Sequence, residues 1–479
     1  MNQPDWKFEH SYQQLPPILF ESAEPQQVQN AHGILFNEQL ARSINIDIHS
    51  LMSSDGVDTL SGNVLPTGSK PISQAYAGHQ FGNFTNLGDG RAILLGEHRV
   101  SKDQVVDIQL KGCGRTPYSR TGDGFATLGS LLKEYFFSEA MHALGIPTTR
   151  SLAIIGAGEL MQRQKLHPRA VMTRVASSHL RIGTFQFASQ YGVETLKQLT
   201  DYAIQRHFPE LLSSDDIYFE FLEKFLDQQA YLVAQWMSVG FVHGVMNTDN
   251  ISISGQTIDY GPCAFLDEYD PKSTFSSIDR LGRYAYGNQP NIMYWNICRF
   301  AEALLPLLSP DDPNLVIEKT QHILRKFPDL YMGYWQELFC KKIGFICVTP
   351  HAVNLVNDLL KIMHEEQADF TAIFRTLSLG TLDSSSFKDW KLRWEAQLVV
   401  IGCDIKEARQ LMLQVNPVVI PRNHVVASTI DEVEASGNIN PFLDLLRVME
   451  MPFSEEHSHH PLALPRPEGT AHTVTYCGT

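Results

Sequence analysis

Three oxygen-bearing side chains lie close together near the middle of the chain: Asp249, Asn250 and Asp259. Two short apolar pieces with strand character, Ile251–Ile253 and Thr257–Ile258, separate the first two from the third, so we predict a tight hairpin. The ends of a hairpin lie side by side, which would bring carboxylate and amide oxygens to one point. Such oxygens are the ligands that Mg²⁺ prefers. The alternative is that Asp and Asn only cap turns here.

A glycine-rich turn and a lysine further upstream could bind phosphate. Gly88, Gly90 and Arg91 lead into an apolar strand, and the backbone N–H groups of such turns commonly contact phosphates. The run Val105–Lys111 alternates as a half-buried strand does, and the Lys111 ammonium at its end could reach the same phosphates. The alternatives are an ordinary hairpin turn and a solvated lysine.

A long polar loop, Gly112–Gly124, follows this strand. Ligand contact would explain such a loop beside a phosphate site. The apolar spacing then predicts a helix over Leu128–Leu144. Glu134 and Glu139 both lie on this helix, and either carboxylate could pair with Lys111. The alternative is that both are solvated.

Two arginines could add further phosphate donors. Strands are predicted at Ser151–Ile155 and Ala170–Val175, and Arg174 and Arg181 follow seven residues apart. Two converging guanidiniums would bind a phosphate with planar, bidentate geometry; the alternative is a pair of surface arginines. A long amphipathic helix, Ile217–Val239, then leads to the segment with the two aspartates.

Charge and composition exclude several classes of protein. The 479 residues carry a formal net charge of −15, which disfavours nucleic-acid or anionic-membrane partners. No apolar run approaches the roughly 18 residues that span a bilayer, and the first residues do not resemble a secretory signal or a transit peptide. The seven scattered cysteines form no CxxC pair, which is typical of a reducing compartment. We therefore expect a cytoplasmic protein.

Taken in order, these parts follow the order found in protein kinases. We predict an α+β, protein-kinase-like two-lobed fold with a β-rich N-lobe and a mostly helical, extended C-lobe. The predicted divisions are residues 1–190 for an N-terminal extension and the N-lobe, 191–450 for the C-lobe with the metal site, and 451–479 for a flexible tail. Residues 1–60 are predicted to be irregular, with short helical pieces.

One part of a protein kinase is missing. The catalytic base of a kinase precedes the metal-binding Asn by five residues, and Val245 takes that place before Asn250. Asp259-Tyr260-Gly261 stands where a kinase has Asp-Phe-Gly. The chain is therefore either a nucleotide-binding pseudokinase or an enzyme that uses the kinase scaffold for other chemistry.

Four longer motifs carry a closer resemblance: QLKGCGRTPYSRTGDG, LKEYFFSEAMHALGIPTTR, MTRVASSHLRIGTFQ and GFVHGVMNTDNISISGQTIDYGP. On these motifs the chain resembles the selenoprotein O family, from about residue 70 to the C-terminus. The resemblance implies a kinase-like fold that binds ATP in a flipped orientation. It also implies transfer of AMP, rather than phosphate, to Ser, Thr or Tyr hydroxyls of proteins.

The resemblance implies a role for each matching residue. It implies nucleotide contacts for Gly88, Gly90, Arg91, Lys111, Asp123, Gly124, Arg174, Arg181 and Asp259. It implies catalytic roles for Asp249, as proton acceptor, and for the ion pair of Lys111 and Glu134. It also implies that Asn250 and Asp259 hold Mg²⁺ or Mn²⁺.

The implied reaction explains why the site would need several cations. When a hydroxyl attacks the α-phosphorus of ATP, pyrophosphate leaves and carries the charge that must be stabilised. Lys111, Arg174 and Arg181 could supply that stabilisation. With Mn²⁺, UTP could serve as a donor of UMP. An atypical protein kinase and an inactive nucleotide-binding scaffold stay open as alternatives.

The chain departs from the family pattern at Phe125 and Lys133, where the family usually has Arg; both lie beside implied contacts and not in them. Cys477 matches a position near the C-terminus where many eukaryotic members carry selenocysteine. We hypothesise a regulatory disulfide between Cys477 and Cys263, and the alternative is an inert thiol in the tail.

Overall fold

The computed structural model describes residues 4–308, 313–467 and 469–470. Strands dominate the first part of the chain and helices the remainder. The strands, in chain order, are β1 (Phe8–Glu9), β2 (Phe20–Ser22), β3 (His32–Phe36), β4 (Ile72–Gln74), β5 (Ala77–Gln80), β6 (Asn83–Asn86), β7 (Ala92–Arg99), β8 (Val105–Lys111), β9 (Ala126–Thr127), β10 (Arg150–Gln162), β11 (Leu166–Ala176), β12 (Phe241–Val242) and β13 (Ala264–Phe265). This mixed content agrees with the predicted α+β class.

The helices range in length from 5 to 23 residues. In chain order they are α1 (Glu38–Ser43), α2 (Ile48–Met52), α3 (Ser54–Ser61), α4 (Leu128–Ala143), α5 (Ile182–Ser189), α6 (Val193–His207), α7 (Ile217–Val239), α8 (Gln289–Leu304), α9 (Pro313–Leu324), α10 (Phe327–Lys342), α11 (Pro350–Glu365), α12 (Phe370–Leu379), α13 (Lys388–Val400), α14 (Ile405–Val415), α15 (Asn423–Ser436) and α16 (Asn440–Met449). Across the described residues, no helix combines the length and the apolarity that crossing a bilayer requires.

A large antiparallel sheet organises the first part of the chain. Its strand order is β2-β4-β7-β8-β11-β10-β3, with β1 added beside β7 and β9 beside β11. The central strand β8 pairs with β7 on one side and β11 on the other. Lys111, at the end of β8, lies between two strands and is only 4% exposed, so it is not the solvated strand-end lysine that was the alternative.

Helix α4 covers one face of this sheet. Thr127 caps it by accepting a hydrogen bond from the N–H of Ser130 at 3.2 Å, as a threonine before a helix commonly does. The helix gives way at Gly145, whose φ of +77° suits the left-handed turn that ends helices. The predicted helix over Leu128–Leu144 is confirmed to within one residue, and α7 has the predicted bounds.

The N-terminal segment is more ordered than predicted. Residues 1–60 were expected to be irregular, yet β1 pairs with β7 and β3 with β10, so both belong to the large sheet. Leu51 on α2 and Leu60 on α3 are fully buried against the other face of the sheet. Strands of two to five residues hold too few side chains for a periodic pattern, which is why the sequence did not reveal them.

The predicted hairpin between Asn250 and Asp259 is wrong. Its first piece bridges Arg181 through Ser252, and its second bridges Thr148 through Thr257. Each piece thus pairs with a different distant segment. Buried backbone N–H and C=O groups need hydrogen-bond partners, and here these two segments supply them. The two ends of the segment still reach the same cavity.

The C-terminal segment is partly packed, contrary to the predicted flexible tail. The carbonyl of Pro452 accepts a hydrogen bond from the N–H of Val418 at 2.7 Å, and Leu462 is fully buried. Arg466 forms an ion pair with Glu268 at 2.7 Å. Cys477, the predicted partner of a disulfide, lies outside the described residues.

Candidate active site

A cavity of about 450 Å³ lies between the large sheet, α4 and the segment that holds the two aspartates. Most of the residues that the sequence nominated meet in it. The nominated residues that line it are Gly90, Arg91, Lys111, Glu134, Arg174, Arg181, Asp249, Asn250 and Asp259. They come from distant parts of the chain, so the fold and not the local sequence assembles them.

Lys111 bridges two carboxylates inside this cavity. Its Nζ donates to Oε2 of Glu134 at 2.5 Å and to Oδ1 of Asp259 at 2.8 Å. Lys111 and Glu134 are both almost fully buried, so this is an ion pair shielded from water. Glu139, the other candidate on α4, pairs with Arg150 instead.

Two arginines complete a cluster of three cations around Asp259. Nη1 of Arg174 donates to Oδ1 of Asp259 at 2.6 Å, and Nη1 of Arg181 donates to Oδ2 at 2.8 Å. Burial alone would raise the pKa of Asp259, but Lys111 and the two arginines hold that pKa well below its usual value. Asp259 is therefore ionised, and it is the anion on which the three cations converge.

The backbone of Asp259 is strained. Its φ is +63°, a left-handed value that residues other than glycine adopt at a cost of about 1–3 kcal/mol. The ion pairs with Lys111, Arg174 and Arg181 hold Asp259 in this strained backbone conformation. Strain held by its surroundings in this way is typical of functional sites.

Two residues that the sequence analysis did not nominate tie the arginines together. Oε1 of Gln109 accepts from Nη2 and Nε of Arg174 at 2.7 and 3.2 Å. Its Nε2 donates to Oδ2 of Asp89 at 3.0 Å, and Oδ1 of Asp89 lies 3.5 Å from Nη2 of Arg181. The period of two along β8 places residue 109 on the same face as Lys111, and this signal could have revealed Gln109.

Asp249 lies beside the cations but is held differently. Its side chain is buried, and in the described part of the chain its Oδ1 has no hydrogen-bond partner. Burial raises the pKa of Asp249 to about 6, and the nearby Arg181 opposes that shift. A buried carboxylate oxygen without a donor is costly, which indicates a group that awaits a ligand.

Asn250 and Asp259 carry oxygens that could hold a divalent cation shared with phosphates, but in this structure both carboxylate oxygens of Asp259 accept from Lys111, Arg174 and Arg181. Nδ2 of Asn250 donates to the carbonyl of Val245 at 3.0 Å, which directs its amide oxygen away from that bond. Among the described residues, no group of three or more His, Cys, Asp or Glu side chains could hold a metal by itself. Mg²⁺ commonly binds through one or two protein oxygens plus substrate phosphates, and two oxygen ligands suit that arrangement.

Three nominated residues do not line the cavity. Gly88 lies against the ring of Tyr118, where a Cβ would come within 2.3 Å of the ring. Asp123 forms a two-pronged ion pair with Arg163 at 2.8 Å. Gly124, with a φ of +74°, packs on the backbone of the same loop. In the structure these three residues shape the loops. Their contact with the nucleotide stays a prediction.

Cys263, the other half of the predicted disulfide, is buried. Burial raises the pKa of its thiol to about 12. Because the thiolate is the form that reacts in disulfide exchange, this thiol is unreactive in the arrangement described here.

The family model described as "Protein adenylyltransferase SelO" matches residues 4–450 of the chain. The chain belongs to this family. It is 48% identical over 487 residues to the "Protein nucleotidyltransferase YdiU" of Shouchella clausii (strain KSM-K16), with 100% of this chain and 99% of the relative covered. The SelO family resemblance seen in the sequence is therefore confirmed.

Further SelO relatives show the same extent of similarity. The "Protein nucleotidyltransferase YdiU" of Geobacillus kaustophilus (strain HTA426) is 47% identical over 482 residues, with 99% of both chains covered. The protein of the same name from Halalkalibacterium halodurans is 46% identical over 483 residues, with 99% of this chain and 98% of the relative covered. The chain is thus a member of an enzyme family of nucleotidyltransferases.

Proposed function

We propose that this SelO family member transfers AMP from ATP to Ser, Thr or Tyr hydroxyls of other proteins and releases pyrophosphate. The observation that carries the proposal is the convergence of Lys111, Arg174 and Arg181 on one buried point. In the part of the chain that the structure describes, the carboxylates of Glu134, Asp259 and Asp89 pair with these three cations. The outer phosphates of ATP supply the negative charge that such a cluster binds.

These positions support the following proposed reaction. The acceptor hydroxyl forms a new bond to the α-phosphorus as the bond from that phosphorus to the pyrophosphate oxygen breaks. Lys111, Arg174 and Arg181 stabilise the leaving pyrophosphate, and Glu134 fixes the direction of the lysine. Asp249 takes the hydroxyl proton.

A bound Mg²⁺ or Mn²⁺ would neutralise phosphate charge when held by Asn250 and Asp259. The remaining nominated residues, Gly88, Gly90, Arg91, Asp123 and Gly124, are proposed to contact the nucleotide. With Mn²⁺ we also propose UMP transfer from UTP, because we identify no side chain that reads the base.

The same residues support a protein-kinase-like, two-lobed arrangement. Lys111 on β8 pairs with Glu134 on α4, as the strand lysine and helix glutamate of a kinase do, and Asp259 precedes Tyr260-Gly261. We propose residues 1–190 as the N-terminal extension and N-lobe, and 191–450 as the C-lobe. We also propose a cytoplasmic protein without nucleic-acid or membrane partners, on the grounds of its net charge and scattered cysteines.

One experiment tests the proposed reaction. The protein is incubated with Mg²⁺, a bacterial lysate as acceptor and ATP labelled on either the α- or the γ-phosphate. Label transferred to protein from the α position alone is the expected result. Transfer from γ alone would indicate a kinase, and transfer from neither, with ATP binding intact, would indicate a scaffold. A parallel reaction with α-labelled UTP and Mn²⁺ tests UMP transfer.

A further inference from the structure

The mouth of the cavity beside Asp249 has a rim built from two segments. One is the hairpin β5–β6, and the other is the loop 270–288. The N–H of His79 donates to Oγ1 of Thr248 at 2.7 Å, and the N–H of Phe81 donates to Oδ1 of Asn247 at 3.1 Å. The hydroxyl of Tyr284 donates to the same Asn247 oxygen at 2.6 Å. Both segments are therefore anchored on the two residues that precede Asp249.

Large apolar side chains are exposed along this rim. Leu281 is 97% exposed, Ile278 is 57% exposed and Phe84 is 47% exposed. Ile278 also lines the cavity itself. Single exposed apolar residues are ordinary. Leu281 and Phe84, however, lie on the same two segments as the cavity-lining residues Ile278 and Phe81, and exposed apolar side chains on both segments favour contact with a partner.

Cations accompany these apolar side chains. Lys272 and Arg280 are exposed, and no described carboxylate forms an ion pair with either of them. The loop 270–288 also carries two carboxylates: Asp270 accepts from the N–H of Lys272 at 2.9 Å, and Asp279 accepts from the N–H groups of Arg283 and Tyr284 at 2.9 and 2.7 Å. Lys272, Arg280 and Arg283 outnumber the two carboxylates of this loop, and a local positive balance on a protein of net charge −15 attracts acidic groups to this place.

Aromatic rings hold a third cation at the rim. The guanidinium of Arg283 lies 4.8 Å from the ring centre of Trp295 and 5.6 Å from that of Tyr284. The His79 ring packs edge-on against Trp295 at 5.2 Å, which joins the hairpin to the same surface. Because the His79 ring also contacts Phe84, the side chains of Arg283, Trp295, His79 and Phe84 form one connected set of contacts at the rim.

We propose that this rim, formed by Phe84, Lys272, Ile278, Arg280, Leu281 and Arg283, binds the acceptor protein. The bound segment is extended and carries a large apolar side chain and acidic side chains next to its hydroxyl residue. This inference rests on the proposed AMP transfer and adds the identity of the acceptor. Because Asp249 is buried, a hydroxyl reaches it only from a segment that can enter the cavity, and the flat surface of a folded protein cannot do so.

Peptide binding tests the proposal without relying on catalysis. The probe is a short fluorescein-labelled peptide with one Tyr between Leu and Glu residues, and its matched peptides carry Lys for Glu or Ser for Leu. Fluorescence anisotropy is measured with α,β-methylene ATP present, which blocks AMP transfer. We expect the acidic, apolar peptide to bind wild type more tightly than either matched peptide, by up to about fivefold, which is the upper end for one exposed pair.

Two rim variants and two remote variants make the test specific. Leu281→Asp and Arg280→Glu are expected to weaken binding of the acidic peptide about fivefold, and Arg280→Glu is expected to improve binding of the Lys peptide. Both side chains are exposed, so neither change disturbs the core. The controls are Val399→Asp, at a 78% exposed position, and Lys388→Glu, both on α13; they are expected to leave binding unchanged.

The outcomes separate this inference from the proposed function. If wild type transfers AMP but binds all three peptides equally, the proposed role of the rim is overturned and the proposed reaction stands. The same holds if the rim variants bind the acidic peptide as tightly as wild type does. No peptide binding to wild type also overturns the rim. Absence of transfer from α-labelled ATP overturns the function instead. A concentration-dependent dimer in analytical ultracentrifugation, lost in Leu281→Asp, would assign the rim to self-association and overturn the proposal.

Discussion

At the scale of single residues, the site depends on side chains that orient other side chains. Gln109 touches neither cavity nor solvent, yet it binds Arg174 through Oε1 and Asp89 through Nε2. Asp89 in turn faces Arg181. The buried residues Gln109 and Asp89 therefore fix the positions of the two arginines relative to each other. One nitrogen of each guanidinium faces Asp259.

Gln109→Leu is expected to break this bridge. The change leaves buried donors of Arg174 without an acceptor, which costs about 1–3 kcal/mol. Thermal unfolding measures that loss, and isothermal titration measures ATP affinity, which should fall about tenfold as the guanidiniums lose their register. Gln109→Glu keeps an acceptor for Arg174 but replaces the donor to Asp89 with a second carboxylate, so it breaks only the half of the bridge that leads to Arg181. Equal ATP affinity in wild type and Gln109→Leu would show that the bridge does not orient the site.

Asp249→Ala is expected to separate binding from reaction. The carboxylate is proposed to accept the hydroxyl proton, and general-base catalysis is worth roughly 10²–10⁴-fold in rate. Transfer of α-label to protein should fall by that factor, while ATP affinity stays within about twofold of wild type, since the phosphate-binding cations are untouched. A wild-type rate of transfer would exclude Asp249 as the base.

At the scale of elements, the hairpin β5–β6 determines how closely the backbone approaches Asp249. Gly78 on β5 lies so near that a Cβ there would come within 2.2 Å of Oδ1 of Asp249 and 2.8 Å of Leu87. Its φ is not in the left-handed region, so contact alone accounts for the glycine. The hairpin and the segment with Asp249 therefore function as one packed unit.

Gly78→Ala is expected to displace Asp249 from its position. A shift of this kind should reduce AMP transfer about 10²-fold, since a misplacement of about 1 Å can cost that much. The matched control is Gly333→Ala within α10, where a Cβ meets nothing within 4 Å. That control should keep wild-type transfer and raise stability by about 0.5–1 kcal/mol. Full activity of Gly78→Ala would show that the close approach has no role in the reaction.

At the scale of the whole molecule, buried cations are nearly always matched by carboxylates. Arg422 is completely buried and pairs with Asp369 and Asp267, and Arg206 pairs with Asp107 at 2.5 Å. Lys342 on α10 differs. It is 3% exposed, no described carboxylate forms an ion pair with it, and its Nζ lies 4.3 Å from the ring centre of Phe374.

Lys342 is expected to make stability depend on pH. Burial lowers the pKa of its ammonium from 10.5 to about 7, so above pH 7 the unfolded chain binds more protons than the folded one. The contribution of Lys342 to the free energy of unfolding is therefore most unfavourable at or below pH 7. It improves as the pH rises towards 10.5.

Lys342→Met should raise the free energy of unfolding at pH 7 by about 2 kcal/mol, because it removes a buried charge without a partner. The difference from wild type should narrow as the pH rises, as followed by urea denaturation at several pH values. The control is Lys341→Met, a half-exposed neighbour that pairs with Glu337, and it should change stability by less than about 0.5 kcal/mol. A difference that does not change with pH would show that Lys342 is not the titrating group.

The amino-acid sequence by itself determined the long periodic elements and the residue types of the site. Strand β8 and helix α7 have the bounds that their patterns predict, because periodicity within one element depends only on neighbouring residues. The same local information nominated Lys111, Asp249 and Asp259, since charged side chains within or beside apolar runs are visible in a sequence.

Only the tertiary structure decided how these parts combine. It confirmed Glu134, which the family resemblance implied and local spacing left open against Glu139, as the partner of Lys111. It joined Ser252 and Thr257 to distant segments and brought three cations to Asp259. It also placed Asp123 on Arg163, away from the cavity. Contacts of this kind depend on the register of the sheet and on the path of the chain between distant segments. Local spacing encodes neither, because the free energy of an ion pair depends on where its two residues meet in space.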